Sequence, residues 1–295
     1  MSRGQKHKRH IGAHAPVAGG LAKAIPYLES TAADAVQIYV SNPRGWALTD
    51  GDPEQDKAFV AGCAAAGAPV YIHASLLVNL GSPTEATVAS SVRTLQHALA
   101  RGKALDAAGI VFHAGSAVDA AQAERAYRQL HEVLLPILDV ASTVGGPRLL
   151  VEPSAGGGRA LAARVEDLEP YLAAVEHHPY LGVCFDTCHA LAAGHDLTKP
   201  GGMTGALDAL AQIAPDRLWL VHTNDSKDAC GSTRDRHETI GAGTIGMAPF
   251  RELLRHPSTT GVPLIVETPG TPAAEPGPAV VGSGHARDIA ALRAL

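Results

Sequence analysis

Short apolar segments recur along this chain and alternate with longer Ala-, Leu-, Glu- and Arg-rich segments that have helical spacing. Runs of β-branched and aliphatic residues of this length are typical of buried strands. The runs are HIGAHA (10–15), AVQIYV (35–40), PVYIHA (69–74), GIVFHA (109–114), RLLVEP (148–153), LGVCFDT (181–187), LWLVHT (218–223) and PLIVET (263–268). The pattern predicts helices between them, for example over 84–105, 121–142 and 204–213.

This alternation of strands and helices predicts an α/β fold. Continuous apolar runs suit parallel strands that are covered on both faces. A chain of 295 residues could hold two domains of roughly 150 residues, but eight strands with helices between them favour a single-domain (β/α)₈ TIM barrel over an open doubly wound sheet. No G-x-G-x-x-G motif follows any of the runs, so a dinucleotide-binding domain loses its main support.

The predicted barrel domain spans 10–295 and includes a Pro/Gly-rich segment at 268–284 and a C-terminal helix, HARDIAALRAL. The first nine residues are basic with no apolar stretch behind them, which favours a solvated tail over a phosphate-contacting arm or a signal peptide. No apolar run approaches the roughly 18 residues of a membrane span. We therefore expect a cytoplasmic monomer with no membrane association.

Composition adds one unusual feature, the abundance of histidine. The chain is 46% hydrophobic and 18% charged, as expected for a folded globular protein. Its net charge of −5 argues against broad adhesion to nucleic acid but leaves a local basic groove possible. Four cysteines do not make a disulfide framework. Fifteen histidines, against four phenylalanines and two tryptophans, point instead to metal binding or acid–base chemistry.

The last residues of the apolar runs carry the candidate chemistry. Six consecutive runs end in a side chain that can bind a divalent cation, and the carboxyl ends of all barrel strands open onto one face. Two further motifs, Asp-Thr-Cys-His after the sixth run and Asp-Arg-His after the seventh, add ligands beside them. The candidate metal ligands are His73, His113, Glu152, Asp186, His189, His222, Asp235, His237 and Glu267.

A lone histidine or carboxylate at a strand end is more often structural than a metal ligand. The joint pattern changes this interpretation, because carboxylates gathered at one mouth without a cation would repel one another. Nine ligands exceed the three or four protein groups of one zinc site, so two or more ions are predicted. The His/carboxylate mixture without thiolate suits catalytic zinc or manganese, and clustered ions suit phosphoryl chemistry.

Six segments closely resemble endonuclease IV, the family-2 apurinic/apyrimidinic (AP) endonucleases. They are HASLLVNLGSP (73–83), VFHAGSAV (111–118), VEPSAGGG (151–158), GVCFDTCHALAAGHDL (182–197), VHTNDSKDACGSTRDRHETIGAGTIG (221–246) and PLIVETPG (263–270). The resemblance implies a TIM barrel with three zinc ions per chain. The implied ligand sets are His73, His113 and Glu152; Glu152, Asp186, His222 and Glu267; and His189, Asp235 and His237.

The resemblance also implies a DNA repair reaction on duplex DNA. The enzyme would hydrolyse the phosphodiester 5′ to an abasic site, leaving a 3′-hydroxyl and a 5′-deoxyribose phosphate, and would also remove 3′-blocking groups. Glu152 and Glu267 would be catalytic, and Glu267 is similar to a carboxylate that orients or deprotonates the nucleophile. The abasic nucleotide must leave the helix, at a cost that the missing base lowers.

Departures from the family pattern concern the loops that would distort DNA. Leu76 stands where the family commonly has a Tyr that enters the DNA, whereas Arg44, in SNPRGW (41–46), matches an Arg inserted into the stack. We expect both residues to contact DNA. GAHAPVAGG and EPSAGGG also differ from the more usual GAHVSxAGG and ENTAGxG.

Two other functions remain open. A divalent-metal sugar isomerase or epimerase would use the same barrel mouth, but it needs fewer ligands and leaves Asp235 and His237 without a role. A catalytically silent DNA-damage binding protein would lack some ligands, and none is missing here.

Overall fold

Each of the eight predicted apolar runs forms one strand of a closed parallel barrel, which confirms the predicted fold. The structure is a computed structural model and describes residues 9–157, 159–270 and 283–295. Its strands are β1 (Ile11–His14), β2 (Val36–Ile38), β3 (Val70–His73), β4 (Gly109–His113), β5 (Arg148–Glu152), β6 (Leu181–Asp186), β7 (Leu218–His222), β8 (Asp225–Ser226), β9 (His237–Glu238) and β10 (Leu264–Val266). Around the barrel the order is β1, β10, β7, β6, β5, β4, β3, β2.

The helices follow the strands as the periodicity predicts. They are α1 (Ala24–Thr31), α2 (Pro53–Ala66), α3 (Glu85–Ala104), α4 (Ala123–Val144), α5 (Leu168–Ala174), α6 (Thr187–Ala192), α7 (Gly202–Ile213), α8 (Met247–Arg255) and α9 (Ser283–Arg293). Sequence places the ends of α3, α4 and α7 within two residues of those observed. The C-terminal helix also forms, beginning two residues before the predicted segment.

Side chains on the barrel strands alternate between two separate buried clusters. The larger cluster includes Phe112 and Val151. A small cluster inside the barrel takes one residue from each of six strands and the residue just before β2: Tyr71, Val111, Leu150, Cys184, Leu220, Ile265 and Ala35. Strand β1 contributes Gly12 at this level, because a Cβ there would lie 1.8 Å from the Ala35 carbonyl oxygen. The next inward position on each strand, two residues later, lies at the mouth.

A two-stranded antiparallel ribbon, β8 and β9, lies after β7 and was not predicted from the sequence. The fully buried Asp225 carboxylate organises the loop that follows this ribbon. It accepts hydrogen bonds from five backbone N–H groups at 2.8–3.2 Å, those of Ser226, Gly241, Gly243, Ile245 and Gly246. The ribbon thereby holds the Asp235–His237 segment over the barrel mouth.

Parts of the predicted domain organisation fall outside the described residues, namely 1–8 of the tail and 271–282 of the Pro/Gly-rich segment. Arg9, the last residue assigned to the tail, is half-buried, and its guanidinium donates to the Leu254 carbonyl oxygen at 2.7 Å. Among the described helices, none combines the length and apolar character that a membrane crossing requires.

Candidate metal centre

All eight barrel strands deliver a polar side chain to the mouth. Strand register puts these groups at one level, since His113 pairs with Glu152 and Asp186 pairs with His222 across neighbouring strands. Six of the groups are the predicted strand-end ligands, and the other two come from β1 and β2. In barrel-strand order along the chain they are His14, Gln37, His73, His113, Glu152, Asp186, His222 and Glu267.

The first cluster combines His73, His113 and Glu152. The Nε2 atoms of His73 and His113 lie 3.2 and 3.5 Å from Glu152 Oε2. His73 Nδ1 donates to the Ala74 carbonyl oxygen at 2.7 Å, which leaves a lone pair on Nε2. Burial lowers the pKa of His113 to about 4, so this ring is neutral near pH 7. Two imidazoles and a carboxylate therefore converge, and the His113 ring is neutral.

The second cluster uses the other oxygen of Glu152. His222 Nδ1 lies 2.9 Å from Glu152 Oε1, 3.3 Å from Glu267 Oε2 and 3.9 Å from Asp186 Oδ2. Asn224 holds two of these groups, because its Nδ2 donates to Asp186 Oδ2 and its Oδ1 accepts from the Glu267 backbone N–H. Glu152 faces both clusters, one through each carboxylate oxygen.

The third cluster is built by α6 and the segment before β9. Asp186 caps α6 by accepting from the His189 backbone N–H at 2.8 Å, which brings the imidazole to the mouth. His189 Nε2 lies 3.3 Å from Asp235 Oδ2, and His237 Nε2 lies 3.0 Å from Asp235 Oδ1. The structure thus brings together all nine predicted ligands in three adjacent groups.

The donor chemistry of these clusters fits divalent cations. The ligand atoms of the first cluster lie within 4.8 Å of one another, as do those of the second. In the third, both histidine Nε2 atoms are buried and lie close to the Asp235 oxygens, but neither makes a hydrogen bond within the described part of the chain. Each of these rings donates its other N–H to a backbone carbonyl, His189 to Pro153 and His237 to Glu267. This arrangement is typical of metal-binding histidines.

The electrostatics of the clusters also favour bound positive charge. Burial favours the protonated carboxyl of Glu152, but His222 and His73 hold its pKa well below the ordinary range. Burial opposes charge on His237, yet the Asp235 carboxylate and Asp186 raise its pKa to about 9. Without metal, protons on imidazoles compensate the carboxylates, and metal binding would release those protons.

Two cysteines with no predicted role lie beside the ligands. The Cys184 Sγ atom lies within 4.8 Å of ligand atoms of Glu152 and His222. The Cys188 Sγ atom lies equally close to ligand atoms of Asp235 and His237. Burial raises the pKa of Cys184 to about 12 and raises the pKa of Cys188 as well, so both thiols are protonated near neutral pH. The predicted nitrogen and oxygen donor set therefore remains the better one.

Sequence reasoning missed His14 and Gln37. Gln37 is fully buried, and its side chain contacts His14, His222 and Glu267. The signal was present in the period of two: each residue follows an inward position by two places, as the ligands do. Gln37 does not end its apolar run, because the chain continues from β2 into an extended loop after Ile38.

A cavity of about 800 Å³ opens above the clusters. Its lining combines ligand side chains with other groups that include Val17, Tyr39 and Leu76. The Leu76 backbone N–H donates to the Pro43 carbonyl oxygen at 2.9 Å, so the Leu76 loop is joined to the loop that carries Arg44. Leu76 is 38% exposed and Arg44 is exposed, which rules out core packing for both.

Comparisons with known proteins agree with this architecture. A family model described as a xylose isomerase-like TIM barrel matches residues 25–289. A Streptomyces coelicolor protein named probable endonuclease 4 is 49% identical over 97% of this chain and 94% of its own length. The crystal structure of endonuclease IV from Thermus thermophilus is 35% identical, with a TM-score of 0.81 over 97% of this chain and 98% of that one.

A more distant structural likeness concerns the fold alone. The crystal structure of 3-keto-D-glucoside 4-epimerase from E. coli is 16% identical, with a TM-score of 0.71 over 98% of this chain and 100% of that one. The higher sequence identity to the two endonuclease IV proteins, over nearly the whole chain, instead agrees with the motif resemblance found in the sequence. The chain belongs to the endonuclease IV family.

Proposed function

We propose that this protein is a zinc-dependent DNA repair endonuclease that hydrolyses the phosphodiester 5′ to abasic sites in duplex DNA. Its family membership makes it a DNA-cleaving hydrolase. The products would carry a 3′-hydroxyl and a 5′-deoxyribose phosphate, and the same site would remove 3′-blocking groups. The observation that carries the proposal is the set of three adjacent His/carboxylate clusters, two of which share Glu152.

The nine ligands would hold three zinc ions, in the sets described above. Zinc ions so close together would polarise the scissile phosphate, supply a nucleophile near neutral pH and stabilise the leaving oxygen. The role of Glu152 is to fix the spacing of two sites, since its carboxylate is 1% exposed and both oxygens are engaged. Glu267 is 15% exposed and borders the cavity, so its carboxylate can orient an attacking water or take its proton.

The remaining residues of the mouth would bind and shape the DNA. A cavity of about 800 Å³ can receive an extruded abasic nucleotide. Leu76 would enter the gap as an apolar wedge and Arg44 would contact the strand beside it, because the two loops are joined by the Leu76–Pro43 hydrogen bond. The chain would act as a monomer, with one complete site.

A 5′-labelled duplex with one tetrahydrofuran abasic analogue tests the proposal. The analogue cannot undergo β-elimination, so a cut strand that a polymerase extends must have arisen by hydrolysis 5′ to the lesion. We expect incision with zinc and its loss with chelator. A protein that leaves this duplex intact with zinc supplied, yet interconverts an aldose and a ketose, would overturn the proposal in favour of the isomerase alternative.

A further inference from the structure

Gln37 links three groups at the barrel mouth. Its side chain is fully buried and approaches each of them at hydrogen-bond distance. The amide Nε2 lies 2.6 Å from Glu267 Oε1 and 2.9 Å from His14 Nδ1. The amide Oε1 lies 2.8 Å from His222 Nε2. One amide thus uses both N–H groups and its carbonyl oxygen.

The chemistry of Glu267 decides which way the amide faces. An ionised carboxylate only accepts hydrogen bonds, so the atom 2.6 Å from Glu267 Oε1 must be the amide nitrogen. The amide oxygen then faces His222 Nε2 and can only accept. His222 must therefore carry a proton on Nε2.

When the neutral His222 ring carries its proton on Nε2, Nδ1 keeps a lone pair and is the atom that can bind a metal. Nδ1 is the nitrogen that faces the oxygens of Glu152 at 2.9 Å and Glu267 at 3.3 Å. A ring flipped by 180° would lose its bond to Gln37 and would turn an N–H away from an acceptor. The amide therefore selects both the tautomer and the orientation of a predicted ligand.

The Gln37 amide also affects the tautomer of His14. His14 Nδ1 lies 2.9 Å from the amide Nε2 and 3.2 Å from Glu267 Oε1. When Nδ1 accepts the second N–H of the amide at the shorter of these distances, the imidazole proton sits on Nε2. That Nε2 is buried and has no hydrogen-bond partner in the ranges the structure describes. His14 also lines the cavity at the mouth.

We propose that Gln37 is a positioning residue that fixes His222 Nδ1 as a metal ligand, holds Glu267, and sets the tautomer of His14. The proposal rests on the proposed function, since it assigns His222 and Glu267 to the metal centre. Partners of this kind, which orient metal ligands, typically contribute 10- to 100-fold to metal affinity or activity.

The direct test replaces the amide with an apolar side chain of similar length, Gln37→Met. The matched control is Gln129→Met, because Gln129 on α4 is likewise a hydrogen-bonded amide, which donates to the backbone carbonyls of Leu80 and Ser82 and does not line the cavity. We expect about 10- to 100-fold weaker retention of zinc against a chromophoric chelator in Gln37→Met only. Retention equal to that of the control overturns the proposal.

A second variant separates tautomer control from packing. Gln37→Glu keeps an acceptor for His222 but can no longer donate to His14. In histidine-labelled ¹⁵N spectra of the zinc-loaded protein, we expect His222 to keep its Nε2–H signal and His14 to move its proton from Nε2 to Nδ1. Unchanged protonation of both His14 nitrogens would contradict the proposal, even if Gln37→Met fails to fold.

These readouts do not depend on DNA cleavage. If wild type binds zinc and shows the expected tautomers but leaves abasic duplex intact, the proposed function fails and the positioning role of Gln37 stands as a property of the metal site. If wild type cuts the duplex while Gln37→Met retains zinc and cuts equally well, the proposed function stands and the role of Gln37 fails.

Discussion

Glu152 holds the centre together at the scale of single residues, because its two carboxylate oxygens face different clusters. Removing this side chain should weaken two zinc sites rather than one. We predict that Glu152→Ala loses about two zinc ions per chain in elemental analysis, whereas Glu132→Ala, at an exposed position on α4, loses none. Loss of a single ion would contradict the assignment of Glu152 as a shared ligand.

Two histidines that the strand register separates provide a second test. His113 ends β4 and lies 3.5 Å from Glu152 Oε2, whereas His131 is exposed on α4. Loss of one preorganised electrostatic group typically costs about 100-fold or more in rate. We expect His113→Ala to reduce incision of abasic duplex by at least that factor and His131→Ala to leave the rate nearly unchanged. Equal rates for the two variants would count against His113 as a ligand.

Asp288 makes stability depend on pH. It is fully buried on α9 and accepts hydrogen bonds from the Thr268 hydroxyl and the Ile240 backbone N–H. Burial raises its pKa from 3.8 to about 6, so the folded state binds this proton more tightly than the unfolded state. The free energy of unfolding contributed by Asp288 therefore falls as pH rises from about 4 to about 6.

The variant Asp288→Asn removes this ionisation. The free energy of unfolding of the variant minus that of wild type, measured in urea, should be about 2 kcal/mol larger at pH 7 than at pH 4, because only wild type loses stability on ionisation. The difference between the two pH values cancels the effect of the substitution on packing and hydrogen bonds. A difference independent of pH would show that Asp288 does not titrate in this range.

At the scale of elements, the loops after β2 and β3 form one apolar and basic edge of the mouth. Leu76 is exposed there at the rim of the cavity, and a wedge that enters an unstacked step needs such exposure. We expect Leu76→Ala to weaken binding to abasic duplex by about 10-fold, with no change for intact duplex and no loss of stability.

Val140→Ala is the control for this change, because Val140 is 63% exposed on α4, outside the barrel mouth. Both variants shorten an exposed aliphatic side chain to Ala without changing the net charge. Their effects on solubility should therefore be similar. Equal loss of affinity for abasic and intact duplex in Leu76→Ala would exclude the wedge.

The barrel strands and most of the side chains of the candidate metal centre could be located from the sequence because both follow from local patterns. Apolar runs located every barrel strand, and a ligand at the end of a run is visible without tertiary information. The β8–β9 ribbon could not be found this way, since it is only two residues per strand and depends on the buried Asp225 carboxylate. Gln37 was missed for a related reason: its role exists only through contacts with residues more than twenty positions away.

At the scale of the whole molecule, an acidic chain presents a site for a polyanion. The net charge is −5, and three divalent ions would add six positive charges at the mouth. The local field at the cavity would then be positive while the rest of the surface stays weakly acidic, which limits adhesion to undamaged DNA. Selectivity would rest on the shape of the cavity and on the cost of extruding a nucleotide.

Nine side chains from the mouth of the barrel would hold the proposed cluster of zinc ions. Anomalous diffraction at the zinc absorption edge, from crystals grown without chelator, measures both the number and the positions of the ions. We predict three peaks, one beside His73 and His113, one beside Asp186 and His222, and one beside His189 and His237. A single peak, or peaks away from these residues in a fully folded protein, would contradict the assignment of these side chains as zinc ligands.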